Sequence, residues 1–235
     1  MDRLTRKELK SDRFALEVQH SVEYVSEHRR QLILWGGAGA AVILIAVAVF
    51  IYRNYQHTAR QEALRDAMQI ANTNVGASAN PGIKVYATAA ERSKDVVKAF
   101  GDIVAKYPGS DEGAVARFSL GVNASDDGNT AEAERNFKAV VDSGNEQYGS
   151  LAKLSLAQLY ASQGKTAEGA KLIQSVIDHP TVLVSKEQAT IALAELLIPT
   201  DPQQARKLLE PLRSNPRSNI SGAAINILSE MQKPK

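Results

Sequence analysis

Few side chains in this sequence could do chemistry, and their spacing argues against catalysis. Among 235 residues there is no Cys and there are four His, so thiolate metal sites, disulfides and thiol nucleophiles are all excluded. His20, His28, His57 and His179 are scattered, and none has a second His or a carboxylate at the i, i+4 spacing that sets two ligands on one helix face. The acidic pair Asp126-Asp127 precedes Gly128, which reads as a turn between helices. The glycine-rich string from Gly36 to Ala41 lacks the third glycine of a dinucleotide-binding loop and follows no strand. Nucleophile elbows, Walker loops and HExxH motifs are absent. The sequence therefore predicts no catalytic residues, no metal site and no cofactor, and leaves recognition as the chemistry to explain.

The elements that would carry recognition begin with an apolar run. Leu32 to Tyr52 reads LILWGGAGAAVILIAVAVFIY, 21 residues without a charge, about 31 Å long as a helix and matched to a hydrocarbon core of about 30 Å. Eleven of these residues are Leu, Ile, Val or Phe, each favouring insertion by roughly 0.3–0.6 kcal/mol. Ala46-Val47-Ala48 has the small-residue pattern of a signal cleavage site. The run is nevertheless longer than a signal core, follows a polar tail and continues past the cut, so it reads as an uncleaved signal anchor. Residues 1–31 carry seven Lys/Arg, with Arg29-Arg30 abutting the run, which places the N-terminus in the cytoplasm and the rest beyond the membrane. Within that basic tail, Phe14, Val18, Val22 and Val25 form one apolar stripe. Gly36, Gly37 and Gly39 with Ala40 and Ala41 form a small-residue patch where another helix could approach.

Beyond residue 52 there are 21 Lys/Arg against 20 Asp/Glu, with the signs interspersed, which excludes a nucleic-acid-binding stripe. The composition is helical, and the one β-branched cluster, Thr181 to Val184, is too short and isolated to build a sheet. A 36-residue offset recurs. It aligns Ala133 with Gly169 and Ala205, Phe137 with Ile173 and Leu209, and Val140 with Val176 and Leu212. In the preceding helices Leu120-Gly121, Leu156-Ala157 and Ala192-Leu193 correspond, as do Ala124, Tyr160 and Leu196. Pro180 and Pro216 close successive units, and Phe100 followed by Pro108 repeats the spacing of a second helix. Each helix pair exposes an apolar face that only a neighbouring pair can cover. The small residue lets the paired helices approach, and the large one fills the gap between pairs.

The copy Leu156-Ala157, Tyr160, Gly164, Gly169, Ile173, Pro180 resembles the tetratricopeptide repeat, although no Trp opens any copy and Asn145 stands where one proline should be. The expected fold is all-α: a single transmembrane helix, then a tetratricopeptide-repeat-like α-solenoid. Its domains would be a basic tail over 1–31, the span over 32–52, a helical extension and flexible loop over 53–82 with the helix ending at Ala71, and repeats over 83–235. A C-terminal capping helix would cover Ser221 to Met231. By the repeat register, Phe118, Val122, Leu154, Gln158, Ser162, Thr190 and Leu197 would line the concave face. That groove would suit extended or helical polypeptide and lacks the Lys/Asn clamp some repeats of this class use for a C-terminal carboxylate.

The layout resembles the ancillary SecYEG translocon subunit family, through VEYVSEHRRQL entering the span, FIYRNY leaving it, and YGSLAKLSLAQLY followed by GKTAEGAKLIQSVIDHP. The resemblance implies a bacterial inner-membrane protein with a periplasmic C-terminal domain. Its implied partners are the SecYEG translocon, a membrane-anchored periplasmic chaperone, and unfolded or secreted polypeptides. An envelope scaffold for cell division or outer-membrane assembly, with one fixed partner, is the alternative.

Overall fold

The computed structural model describes residues 29–76 and 85–233. The apolar stripe of the basic tail, and the part of the expected loop from residue 77 onward, lie outside the described residues. Nine α-helices and one 3-10 helix account for the described chain, which has no strand, only an isolated parallel bridge between Val75 and Tyr86. The chain forms two units, Met1–Thr58 and Ala59–Lys235.

The first unit, where described, is the leading part of α1 (Arg29–Ala71). Apolar side chains project all round it, with Ile33, Leu34, Trp35, Ile43, Leu44 and Phe50 all exposed, Trp35 by 78%. A helix apolar on every side needs an apolar medium or a full protein cover, and none of its most apolar stretch is buried inside the structure. It is long and apolar enough to cross a membrane.

The second unit begins at Ala59, inside the segment that the sequence assigns to an extension before the repeats. The reason lies in packing. Ala67 is buried with Val96, Phe100, Ile103 and Ala116, and Ala63, Leu64, Ile70 and Ala71 lean on the same cluster. The end of α1 thus plays the first helix of a pair whose second helix is α2 (Ala89–Lys106). Arg60 Nε donates to Glu112 Oε2 at 3.1 Å, tying this turn to α3 (Asp111–Asp126).

The stack continues with α4 (Thr130–Asp142), α5 (Glu146–Ser162), α6 (Thr166–Asp178), α7 (Lys186–Leu197) and α8 (Pro202–Leu209). A 3-10 turn over Glu210–Ser214 and the capping helix α9 (Ser218–Glu230) complete it. Helix starts are written locally: Thr88, Ser110, Asn129, Asn145, Ser185 and Asp201 each accept a hydrogen bond from a first-turn backbone N–H. Ser185 adds a reciprocal bond from its own N–H to Gln188 Oε1 (2.9 Å). The turns after α3 and α5 place Gly128 and Gly164 at φ 75° and 78°, a left-handed conformation that glycine adopts without penalty.

The repeat register carries the core. Ala133, Phe137 and Val140 pack with Ala124, Ala152, Leu156 and Tyr160, and Ile173 and Val176 pack with Ala157, Ala189, Leu193 and Leu196. Ala205 and Leu209 pack with Ala194, Ala224 and Leu228. Each second helix is buried between the first helices of its own and the next pair, so the core runs as clusters in series. Gly169 and Gly121 permit close approaches between paired helices: a Cβ on Gly169 would lie 2.7 Å from the Ala157 carbonyl oxygen, and one on Gly121 2.6 Å from the Phe137 ring. The segment Thr181 to Val184 is a turn, closed by Thr181 N–H to Val184 O at 2.9 Å, with Gln147 Oε1 accepting from the N–H groups of Val182 and Leu183.

Candidate functional site

On α3, Phe118 is half-buried, its ring tilted against Phe137 at 5.7 Å and against Tyr148 at 5.9 Å between centroids. These contacts fix its direction, because a ring held at two edges has little rotamer freedom. Val122, one turn on, is exposed. Together they line a cavity of about 370 Å³ whose apolar wall is completed by Met68 and Ala71 of α1 and by Val96 and Phe100 of α2. Asn72, Arg92, Ser119, Asn123 and Asp126 supply its polar lining. Asn123 is held in place, since its Nδ2 donates to Ser93 Oγ (2.9 Å) and to Asp127 Oδ2 (3.1 Å), while Ser93 Oγ donates to the same carboxylate oxygen (2.5 Å). Arg92 donates to the Thr73 carbonyl at 3.4 Å.

Of the seven residues placed on the concave face from sequence, Phe118 and Val122 are brought together here. The other five lie outside this cavity. Leu154 and Leu197 are half-buried against the Ile173 cluster, so much of their surface is committed to packing. Gln158 and Ser162 are exposed on α5, and Ser162 Oγ donates within its helix to Leu159 O (2.7 Å). Thr190 Oγ1 likewise donates to Lys186 O (2.8 Å). Sequence reasoning missed Met68, Ala71, Arg92 and Val96. Val96, Phe100 and Ile103 do repeat Ala133, Phe137 and Val140, but at an offset of 37 rather than 36, and no copy of the first helix marks the end of α1.

A second cavity, about 350 Å³, lies where α4, α5 and α6 meet and is lined by Asn145, Glu146, Ser150, Lys153, His179 and Thr181 among others. It contains none of the seven. Toward the other end of α5, Tyr160 is flanked by two cations, Lys138 Nζ and Lys165 Nζ, at 5.8 and 5.4 Å from the ring centroid. Lys138 also pairs with Glu134 at 2.6 Å. That hydrogen bond, outweighing partial burial, holds the Glu134 carboxyl below its ordinary range and raises Lys138.

His57 and His179 are exposed, and among the described residues no group of three or more His, Asp or Glu could hold a metal ion. What the Phe118 cavity offers is a rigid apolar recess with fixed hydrogen-bonding groups at its edge, the arrangement that accepts a side chain from another polypeptide.

A model of the tetratricopeptide repeat-like domain family matches residues 29–205, from the first residue of α1 into α8. No curated protein and no solved structure matches the chain. The chain belongs to the tetratricopeptide repeat-like domain family, whose members generally mediate protein–protein interaction.

Proposed function

We propose that this family member is a non-enzymatic, membrane-anchored interaction module: an ancillary subunit of the SecYEG translocon. It would bind polypeptides emerging into the periplasm and work beside a membrane-anchored periplasmic chaperone. The observation that carries the reading is the joining, in one chain, of an apolar helix without protein cover to a stack of paired helices bearing a recess around Phe118. The basic residues that precede the span, Arg29-Arg30 nearest to it, support a cytoplasmic N-terminus and a C-terminal domain on the far side.

The groove would run over the first helices of the pairs, with Phe118 and Val122 at one end and Leu154, Gln158, Ser162, Thr190 and Leu197 along it. An extended chain offers alternate side chains to such a surface. A recess of about 370 Å³ has room for one or two of them, which gives a small interface and fast release. Those properties suit transient holding of many sequences. Affinity purification of the tagged chain in mild detergent tests the proposal. Channel subunits and a membrane-anchored chaperone are expected to copurify; a single envelope protein in fixed ratio, with no channel component, would refute it.

A further inference from the structure

We infer that the Phe118 recess prefers polypeptide segments in which a large apolar side chain is adjacent to a carboxylate, with Arg92 as the residue that discriminates. This deepens the groove reading above and rests on it. Arg92 is half-buried at the lining of an otherwise apolar recess. Among the described residues its hydrogen bonding is to the Thr73 carbonyl at 3.4 Å, and it forms no ion pair. Arg60, by contrast, reaches the buried carboxylate of Glu112 at 3.1 Å.

A guanidinium has five N–H donors and cannot lose its charge. With one neutral protein acceptor, the remaining N–H groups of Arg92 keep solvent access and are open to a ligand acceptor. Arg92 also stands in the first turn of α2, where the helix dipole already favours an anion and disfavours a cation. A ligand carboxylate would answer both terms, and the apolar walls Val96, Phe100 and Phe118 would strengthen the pair by excluding water.

Asp126 lines the same recess, so an equal preference for a basic residue has to be weighed. Asp126 is exposed at the last position of α3, where solvent and salt screen its interactions to little net value. The half-buried cation discriminates more than the exposed anion, so the net preference is acidic.

Fluorescence anisotropy on the full chain in detergent micelles tests this with two labelled peptides of a glycine–serine host. One carries a leucine pair followed by aspartate, the other the same pair followed by asparagine. The wild type is expected to bind the aspartate peptide about tenfold more tightly, the order of one charge-assisted hydrogen bond. Arg92→Gln should abolish the difference between the two peptides, and Arg92→Lys should keep part of it. Equal binding of both peptides by the wild type, or an aspartate preference that persists in Arg92→Gln, would overturn the inference and leave the groove standing. Binding of neither peptide would overturn both. The wild-type comparison needs no variant, so it decides even where a substitution disturbs folding.

Discussion

Gly169 and Gly101 are both helical glycines, yet alanine at each should act in opposite directions. Alanine is the better helix former by about 0.5–1 kcal/mol, and at Gly101 nothing lies within 4 Å of the added carbon. At Gly169 the same carbon meets the Ala157 carbonyl oxygen at 2.7 Å and Leu196 at 3.1 Å. Urea unfolding should show Gly101→Ala more stable by about 0.5–1 kcal/mol and Gly169→Ala less stable by about 1–3 kcal/mol. Phe137, 2% exposed and fully enclosed, should cost about 3–5 kcal/mol when cut to alanine. The ion pair at Glu134 is a weaker and pH-dependent contributor. Its folded carboxyl titrates below the unfolded one, so its stabilisation is complete above the unfolded pKa and is lost as pH falls through the folded value. A Glu134→Gln variant should therefore melt slightly below the wild type at neutral pH, by under about 1 kcal/mol for so exposed a pair, and match it in strong acid. At this scale the sequence was most readable where spacing recurs: Ala133, Gly169 and Ala205 share a register because each meets a neighbouring helix. Arg92 was invisible, because what marks it is the lack of a carboxylate partner, which only three dimensions reveal.

The paired helices were legible because each second helix must bury one apolar stripe, and stripes have a period. The start of the stack was not, for a specific physical reason. Ala59 to Ala71 continues an apolar helix without a break, so no cap or proline separates the apolar run from the repeats, and its packed positions, half-buried Ala63 and buried Ala67, are too small to register as a motif. The end of the stack depends on its cap. Helix α9 places Ala224 and Leu228 over Ala205 and Leu209, and without it those residues would face water. Truncation after Asn215 should leave α8 and the following 3-10 turn the first segment cut in limited proteolysis, while α3 to α6 stay protected. Protection of α8 equal to that of the intact chain would show that the cap is dispensable. Ser185 caps α7 in both directions, so Ser185→Ala should cost about 1 kcal/mol in the same unfolding assay.

For the molecule as a whole, two features set the expected behaviour. The helix exposing Trp35 and Phe50 has no protein cover among the described residues, and the repeat stack keeps a recess open at Phe118. The helical, repeating fold followed from periodicity and composition, because burial imposes both, whereas the repeat family rested on the resemblance of the copy from Leu156 to Pro180. Partner identity did not follow, since the repeat register marks which residues pack and not which side chains a partner would bring. The most direct test is a photo-activated crosslinker placed at Phe118 in cells, with a secretory chain arrested part-way across the membrane. Crosslinks from Phe118 to the arrested chain, and to unrelated secretory chains in turn, are predicted. A crosslinker that captures one constant protein whatever chain is arrested, or that captures none while the same probe at exposed Val182 behaves identically, would contradict the account.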